Sequence, residues 1–339
     1  MPALKFGFLF SLHNPAAFRK PWAQLYQETL DQIVIAEELG FDSVWISEHH
    51  GAADGYCPSV LPVVAAAADR TSTITLGTRL MLLPLHHPVR VAEDAAVVDI
   101  MAEGRFVLGI AVGYVPREYP AFGVNRRHRP SLIEEGIEII RRCWREEEFD
   151  FAGKRFQLKG VRVEPKPYQE GGPPIWIGGT AGPALDRVAR LGDGYHFVGG
   201  RSIYQTYADA MRGAGRDPRS IPVYDSRDFY LGEDDQRAWE ESREHIFHSY
   251  SGYAQWGREA AEADGNELGP EPAESPEAMR EQTDVWVGGP ETIIAKFEER
   301  LAQVPIDGTI MRMPPGIDHD RAVQLMTRVA ERVLPHFRD

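Results

Sequence analysis

Cysteine is scarce in this chain: Cys57 and Cys143 are the only two in 339 residues. Two cysteines exclude a disulfide framework and fit a reducing, cytoplasmic setting. Basic charge is also short. Lys and Arg number 37 against 51 Asp and Glu, a formal net charge of −14. A phosphate backbone needs a basic footprint, so nucleic acid is excluded as the main partner. No apolar run reaches the roughly 18 residues that a membrane span requires. Met1 to Gly7 carries no basic segment ahead of a long apolar one, so no signal peptide is expected. Several motifs are missing too. No Gly-x-Gly-x-x-Gly follows a strand pattern, which removes the dinucleotide fingerprint. No His-Glu-x-x-His, no Cys pair and no Gly-x-Ser-x-Gly elbow is present, so neither a metal hydrolase nor a serine hydrolase is expected.

What the chain does have is alternation. Apolar residues at 43% and charged residues at 26% are globular values, so a sizeable core is affordable in sequence terms. Strand-like runs occur at Leu4–Phe10, Val44–Ser47, Ile74–Leu83, Phe106–Gly113, Pro174–Ile177, Tyr195–Val198, Pro222–Leu231 and Gly308–Met313. Each is followed by a stretch with helical periodicity, from Trp22–Leu39 to Asp320–Phe337. Eight alternations without a dinucleotide fingerprint predict an α/β fold, a (β/α)8 TIM barrel, as one domain over residues 1–339. Gly77, inside the third run, is expected to mark a bulge. Two insertions interrupt the pattern, after strands 4 and 7. The first is a small hairpin at Phe149–Phe156. The second spans 232–283, with a helix at Gln236–Gln255 and a mobile loop at Ala263–Pro276, and is expected to serve as a lid.

In a barrel the carboxyl ends of the strands converge on one mouth. Glu48, His49 and His50 stand where the second strand runs out. They share the mouth with Met81-Leu82, Ala111 to Tyr114, Gly178-Gly179-Thr180 and Arg312-Met313. Histidine titrates near neutral pH, which suits proton transfer. Adjacent residues of an extended chain point to opposite sides, so His49 and His50 cannot share a metal ion without a turn. The turn Gly178-Gly179-Thr180-Ala181-Gly182 runs into a helix, where backbone N–H groups can meet an anion. Gly288-Gly289-Pro290 opens a later helix and is read as structural. Phe10, Tyr114 and Met313 are expected to line the mouth, with His50 and Arg312 as further substrate contacts.

These segments together resemble the luciferase-like monooxygenases, the bacterial luciferase superfamily. The residues that carry the resemblance are Glu48-His49-His50, the run Leu83-Pro84-Leu85-His86-His87-Pro88-Val89-Arg90-Val91-Ala92-Glu93-Asp94, the segment Gly104 to Gly113 and the turn Ile177 to Thr180. It covers nearly the whole chain, in order. It implies a barrel that is dimeric or higher. It implies reduced FMN, supplied by a separate flavin reductase, and dioxygen, which adds at the flavin 4a carbon so that the peroxide oxidises a small organic substrate. His49 would be the catalytic residue, moving a proton or stabilising the peroxide. Glu48, Met81, Ala111, Gly113, Tyr114 and Gly178, Gly179, Thr180, Ala181 and Gly182 would contact the cofactor. Some relatives instead use the deazaflavin coenzyme F-420 and transfer hydride. Many of those carry Asp-His where this chain has Glu48-His49, which favours FMN. Bacterial luciferase has Cys and Arg where this chain has Ala111 and Val112, so light emission is not expected. A flavin carrier without turnover is the alternative from another class.

Overall fold

The computed structural model describes residues 3–338. Eight parallel strands close into a ring: β1 Lys5–Phe10, β2 Ser43–Ile46, β3 Thr75–Thr78, β4 Phe106–Ala111, β5 Ile175–Gly178, β6 Gly194–His196, β7 Val223–Leu231 and β8 Gly308–Arg312. Phe8 pairs with Val44 of β2 on one side and with Met311 of β8 on the other, which shuts the ring. The other neighbours pair in sequence order, all parallel. Helices α1 Trp22–Glu38, α2 Val60–Arg70, α3 Pro88–Met101, α4 Arg129–Arg145, α5 Gly182–Leu191, α6 Arg201–Gly213, α7 Pro290–Gln303 and α8 His319–Arg332 form the outer layer. This is the (β/α)8 barrel that the alternation predicts. None of these helices is long and apolar enough to cross a membrane.

The pleat sorts the core into two layers. Alternate residues of β1 face out: Phe6 meets Phe297 of α7 and Phe8 meets Phe41, ring centroids 5.3 and 4.8 Å apart. Leu9 faces in, and packs with Trp45, Val107, Trp176 and Ile310 inside the barrel. Trp45 needs space opposite it. A Cβ on Gly77 would stand 2.4 Å from the Trp45 ring. Gly77 therefore makes room for an indole and does not mark a bulge: it pairs in plain register with both Trp45 and Val107.

The run Ile74–Leu83, read as one strand, divides. β3 stops at Thr78, and Met81–Leu82 forms a separate short strand against β4. The Thr78 hydroxyl accepts from the Gly109 N–H at 2.9 Å and donates to the Gly109 carbonyl at 2.7 Å. A side chain thus takes the pairing that a straight backbone would have made, and the chain turns aside at Arg79-Leu80.

The insertions sit after strands 4 and 7 as expected, with different limits. The hairpin pairs Phe149–Ala152 with Gln157–Val161. After β7 a single helix runs for 30 residues, Asp235–Asp264. Asp234 caps it by accepting from the Arg237 N–H, and Gly265 ends it at φ 68°. It reaches well past Gln255 because Arg258 to Ala263 is built of Ala, Glu and Arg, strong helix formers. A loop follows, then Pro276–Gln282 as a helix capped by Ser275, and a three-residue strand, Trp286–Gly288, that pairs in parallel beside the end of β7.

Candidate active site

The carboxyl ends of the strands surround a cavity of about 530 Å³. Of the residues expected there, Glu48, His49, Ala111, Gly113, Tyr114, Gly178, Gly179, Thr180, Ala181 and Arg312 line it. Gly182 stands just behind, as the first residue of α5. The others lie elsewhere. Phe10 and Met313 line a small gap of about 30 Å³ on the helix side of the sheet. The physical reason is parity: Phe10 follows Leu9, and Leu9 takes the inward position. Met81 lines a second cavity, of about 560 Å³, between α2 and α3. His50 turns away from the mouth toward Phe122 and Glu48.

His49 is held from behind. Its Nδ1 lies 2.8 Å from Oε1 of Glu118, a residue that is only 1% exposed. The same oxygen accepts from the His50 backbone N–H at 2.9 Å. An oxygen that accepts the backbone N–H also accepts from the imidazole, which puts the proton on Nδ1 and leaves Nε2 as an acceptor. Aromatic rings enclose the imidazole: Tyr56 at 4.8 Å, Tyr114 at 5.7 Å and Trp256 at 4.4 Å between centroids. Tyr253 also reaches the cavity, and its hydroxyl is 2.7 Å from that of Tyr56. Tyr56 in turn donates to Ser47 at 2.5 Å. Burial pushes the Tyr56 hydroxyl well above its ordinary titration range, so it stays protonated.

Glu48 does a different job. Its Oε1 accepts from His50 Nε2 and from His86 Nε2, each at 2.8 Å. Burial by itself would raise its pKa, but the bonds from the two imidazoles hold it below the usual carboxylate value. The ligand-type atoms of Glu48, His50 and His86 lie within 4.8 Å of one another, as do those of His13, Asp54 and His248. The divergence of His49 and His50 stands: it is Glu48 and His50, two apart, that share a side. In both groups one carboxylate oxygen already serves two imidazoles.

At the far wall, Gly179 adopts φ 142°, and a Cβ there would meet the Ala184 side chain at 2.6 Å. Its carbonyl accepts from the Tyr195 hydroxyl at 2.9 Å. This pins the turn, and Thr180 and Ala181 line the cavity just ahead of α5; the Ala184 and Leu185 N–H groups are already taken by the Ala181 carbonyl, at 2.8 and 3.0 Å. Arg129 stands on the same side and is paired with Asp264 at 3.1 Å.

Residues 4–308 match the luciferase-like monooxygenase family. The chain belongs to that family. The luciferase-like likeness extends to a flavin-dependent trigonelline monooxygenase, oxygenase component, of Acinetobacter baylyi, 31% identical over 156 residues, 45% of this chain and 43% of that protein. An F420-dependent glucose-6-phosphate dehydrogenase of Kineococcus radiotolerans is 34% identical over 195 residues, 55% of this chain and 56% of the other. The chain spans about half the length of the curated relatives it matches. Among solved structures, the monooxygenase RslO1 of Streptomyces bottropensis superposes with a TM-score of 0.84 and 26% identity, over 98% of this chain and all (100%) of that one.

For this luciferase-like barrel, Leu82 lines the cavity as expected, and several lining residues escaped the sequence reading: Leu9, Tyr56, Arg79, Leu80, Arg129, Ala184, Val198 and Tyr253. Glu118, behind His49, escaped it as well. Leu9 and Arg79 could have been found from parity and from their place at strand ends. Tyr253 and Glu118 lie on helices within connecting segments, and nothing local marks them.

Proposed function

We propose that the protein is a flavin-dependent monooxygenase that uses reduced FMN and dioxygen to oxidise a small organic substrate. The observation that carries this reading is the His49–Glu118 pair, set at the wall of a cavity whose other end is the Gly178–Gly182 turn. Family membership and the oxygenase among the relatives support it. The residues fit such a group: the N–H groups and hydroxyl at Thr180 suit a phosphate, and Leu80, Leu82, Val112 and Val198 suit a flat ring. Reduced flavin, when bound, supplies the electrons that activate dioxygen.

The chain's own residues do the rest. Glu118 orients His49 through Nδ1, so His49 can take a proton at Nε2 and return it. Tyr114, Tyr253 and Trp256 keep water away from that atom. The helix Asp235–Asp264 acts as a lid; its side chains, more than the loop Ala263–Pro276, stand over the cavity. A separate flavin reductase would deliver the reduced cofactor. The free, buried Cys57 and Cys143 support a cytoplasmic setting. Val97, Ile100 and Met101 are exposed on α3 and support a homodimer formed through that face.

Hydride transfer with the deazaflavin coenzyme is the second reading, favoured by the 34% identity to an F420-dependent dehydrogenase. One experiment separates them. The protein is mixed anaerobically with reduced FMN and, in parallel, with reduced deazaflavin coenzyme, and then exposed to dioxygen. Tight binding of reduced FMN with accelerated dioxygen consumption is expected. Binding of the deazaflavin alone would overturn the FMN reading, and FMN binding with no change in dioxygen consumption would mark a carrier.

A further inference from the structure

Three arginines line the cavity, and two of them have carboxylate partners. Arg312 is paired with Asp228 at 2.8 Å, and Arg129 with Asp264 at 3.1 Å. Arg79 is the exception. Its side chain is buried, with 7% of the residue exposed. Its backbone is fixed by the bond from its N–H to the Ile46 carbonyl, 2.7 Å. Among the described residues its guanidinium makes one hydrogen bond, a long one of 3.4 Å from Nη2 to the Phe197 carbonyl, and no ion pair. The carboxylate whose field it feels, Asp225, is already taken by Arg300 at 2.7 Å and Arg227 at 3.0 Å. Glu48, also at the cavity wall, is occupied by His50 and His86. Burial, with the field of Arg312 behind it, pulls the Arg79 guanidinium down to about 10, so it remains charged at neutral pH.

A buried charge without a counter-ion is costly, and a protein that keeps one beside a cavity has a place for the missing ion. A guanidinium offers parallel N–H donors in a rigid plane, which select a planar anion with two adjacent acceptors. A phosphate has a separate home at the Gly179–Ala181 turn. We propose that Arg79 is an anion-recognition residue of this cavity, and that its ligand is a planar, charge-delocalised group with two acceptor atoms. Two sources fit that chemistry. One is the N1–C2=O edge of reduced flavin, which is anionic at neutral pH while the oxidised ring is neutral. The other is a carboxylate on the organic substrate. The first source rests on the flavin reading above; the second does not.

The test compares wild type, Arg79→Gln and Arg79→Lys, each checked by circular dichroism and thermal melting. Each is titrated anaerobically with oxidised FMN, reduced FMN and, as a carboxylate probe, benzoate; the midpoint potential of bound FMN is read as well. If the flavin edge is the ligand, Arg79→Gln weakens reduced FMN about tenfold or more, the scale of a charged hydrogen bond, and oxidised FMN far less. The bound couple then shifts to lower potential. If a substrate carboxylate is the ligand, both FMN states bind Arg79→Gln as they bind wild type, and benzoate binding is lost. Arg79→Lys, which keeps the charge without the fork, should fall between in either case. Should Arg79→Gln not fold, Arg79→Lys against wild type decides. A folded variant that binds reduced FMN and benzoate as wild type does would overturn the proposal. Wild type binding neither FMN nor deazaflavin would overturn the proposed function instead, and the benzoate titrations would still decide the role of Arg79.

Discussion

His49 and Glu118 are 69 residues apart, yet they act as one unit. The carboxylate holds the imidazole by Nδ1 and so sets which way its other nitrogen points. His49→Ala should therefore fold as wild type does and lose about a hundredfold or more in turnover. Glu118→Gln leaves the imidazole present and removes the charge behind it, so a loss of about tenfold to a hundredfold is expected. The loss should fall on kcat more than on KM, because Glu118 does not line the cavity. Steady-state kinetics with any accepted substrate checks both. Wild-type turnover in His49→Ala would show that the residue is structural; an effect of Glu118→Gln confined to KM would show that it shapes binding only.

At the scale of elements, the helix Asp235–Asp264 is strapped to the mouth along its length. His248 bonds Asp54 at 2.7 Å, Tyr253 meets Tyr56, Arg117 pairs with Glu259 at 3.2 Å, and Asp264 binds Arg126 at 2.6 Å. Trp256 is the apolar plug of this strap, packed on His49. Trp256→Ala should let water reach the reacting centre and raise hydrogen peroxide release relative to product, by about threefold or more; an unchanged ratio would leave the lid without support. The strap also responds to acid. Burial alone would raise Asp54, but the bonds from His13 and His248 hold it well below its ordinary 3.8. Its contribution is present above that value and is lost as pH falls below it, because the unfolded chain binds the proton more readily. His13, kept below 6.5 first by burial, adds a loss that begins as pH drops under 6.5. Melting temperature should thus decline gently below about pH 6.5 and steeply below about pH 4. Asp54→Asn should melt lower at neutral pH and lose less on acidification, which thermal melts across pH would show.

At the scale of the whole molecule, a closed ring of parallel strands leaves no free barrel edge, which leaves the outer helices as the largest surface for self-association. The α3 face with Val97 at 46%, Ile100 at 37% and Met101 at 42% exposed is the apolar candidate on an otherwise acidic surface. Met101→Glu should convert a dimer to a monomer in analytical ultracentrifugation while leaving the melting of the barrel nearly unchanged. A wild-type protein that sediments as a monomer would remove that assignment.

Much of this architecture is legible in the amino-acid chain alone. The eight strand runs and the Gly178–Gly182 turn follow from local pattern, because apolar periodicity and turn chemistry are local properties. The strand-end position of His49 was legible for the same reason. What escaped depends on parity or on distant partners. Phe10 and Met313 look like mouth residues until the pleat is assigned, and Leu9 takes the inward place because Trp45 and Trp176 must be packed from that side. Gly77 reads as a bulge until the indole opposite it is known. Local pattern by itself determined a (β/α)8 barrel with His49 at its mouth. Only the tertiary structure decided that Glu118 stands behind His49, that Tyr253 and Trp256 close over it, and that Arg79 has no carboxylate partner among the described residues. Those three facts join segments far apart in the chain, and a pairing across the fold leaves no mark on the sequence of either partner.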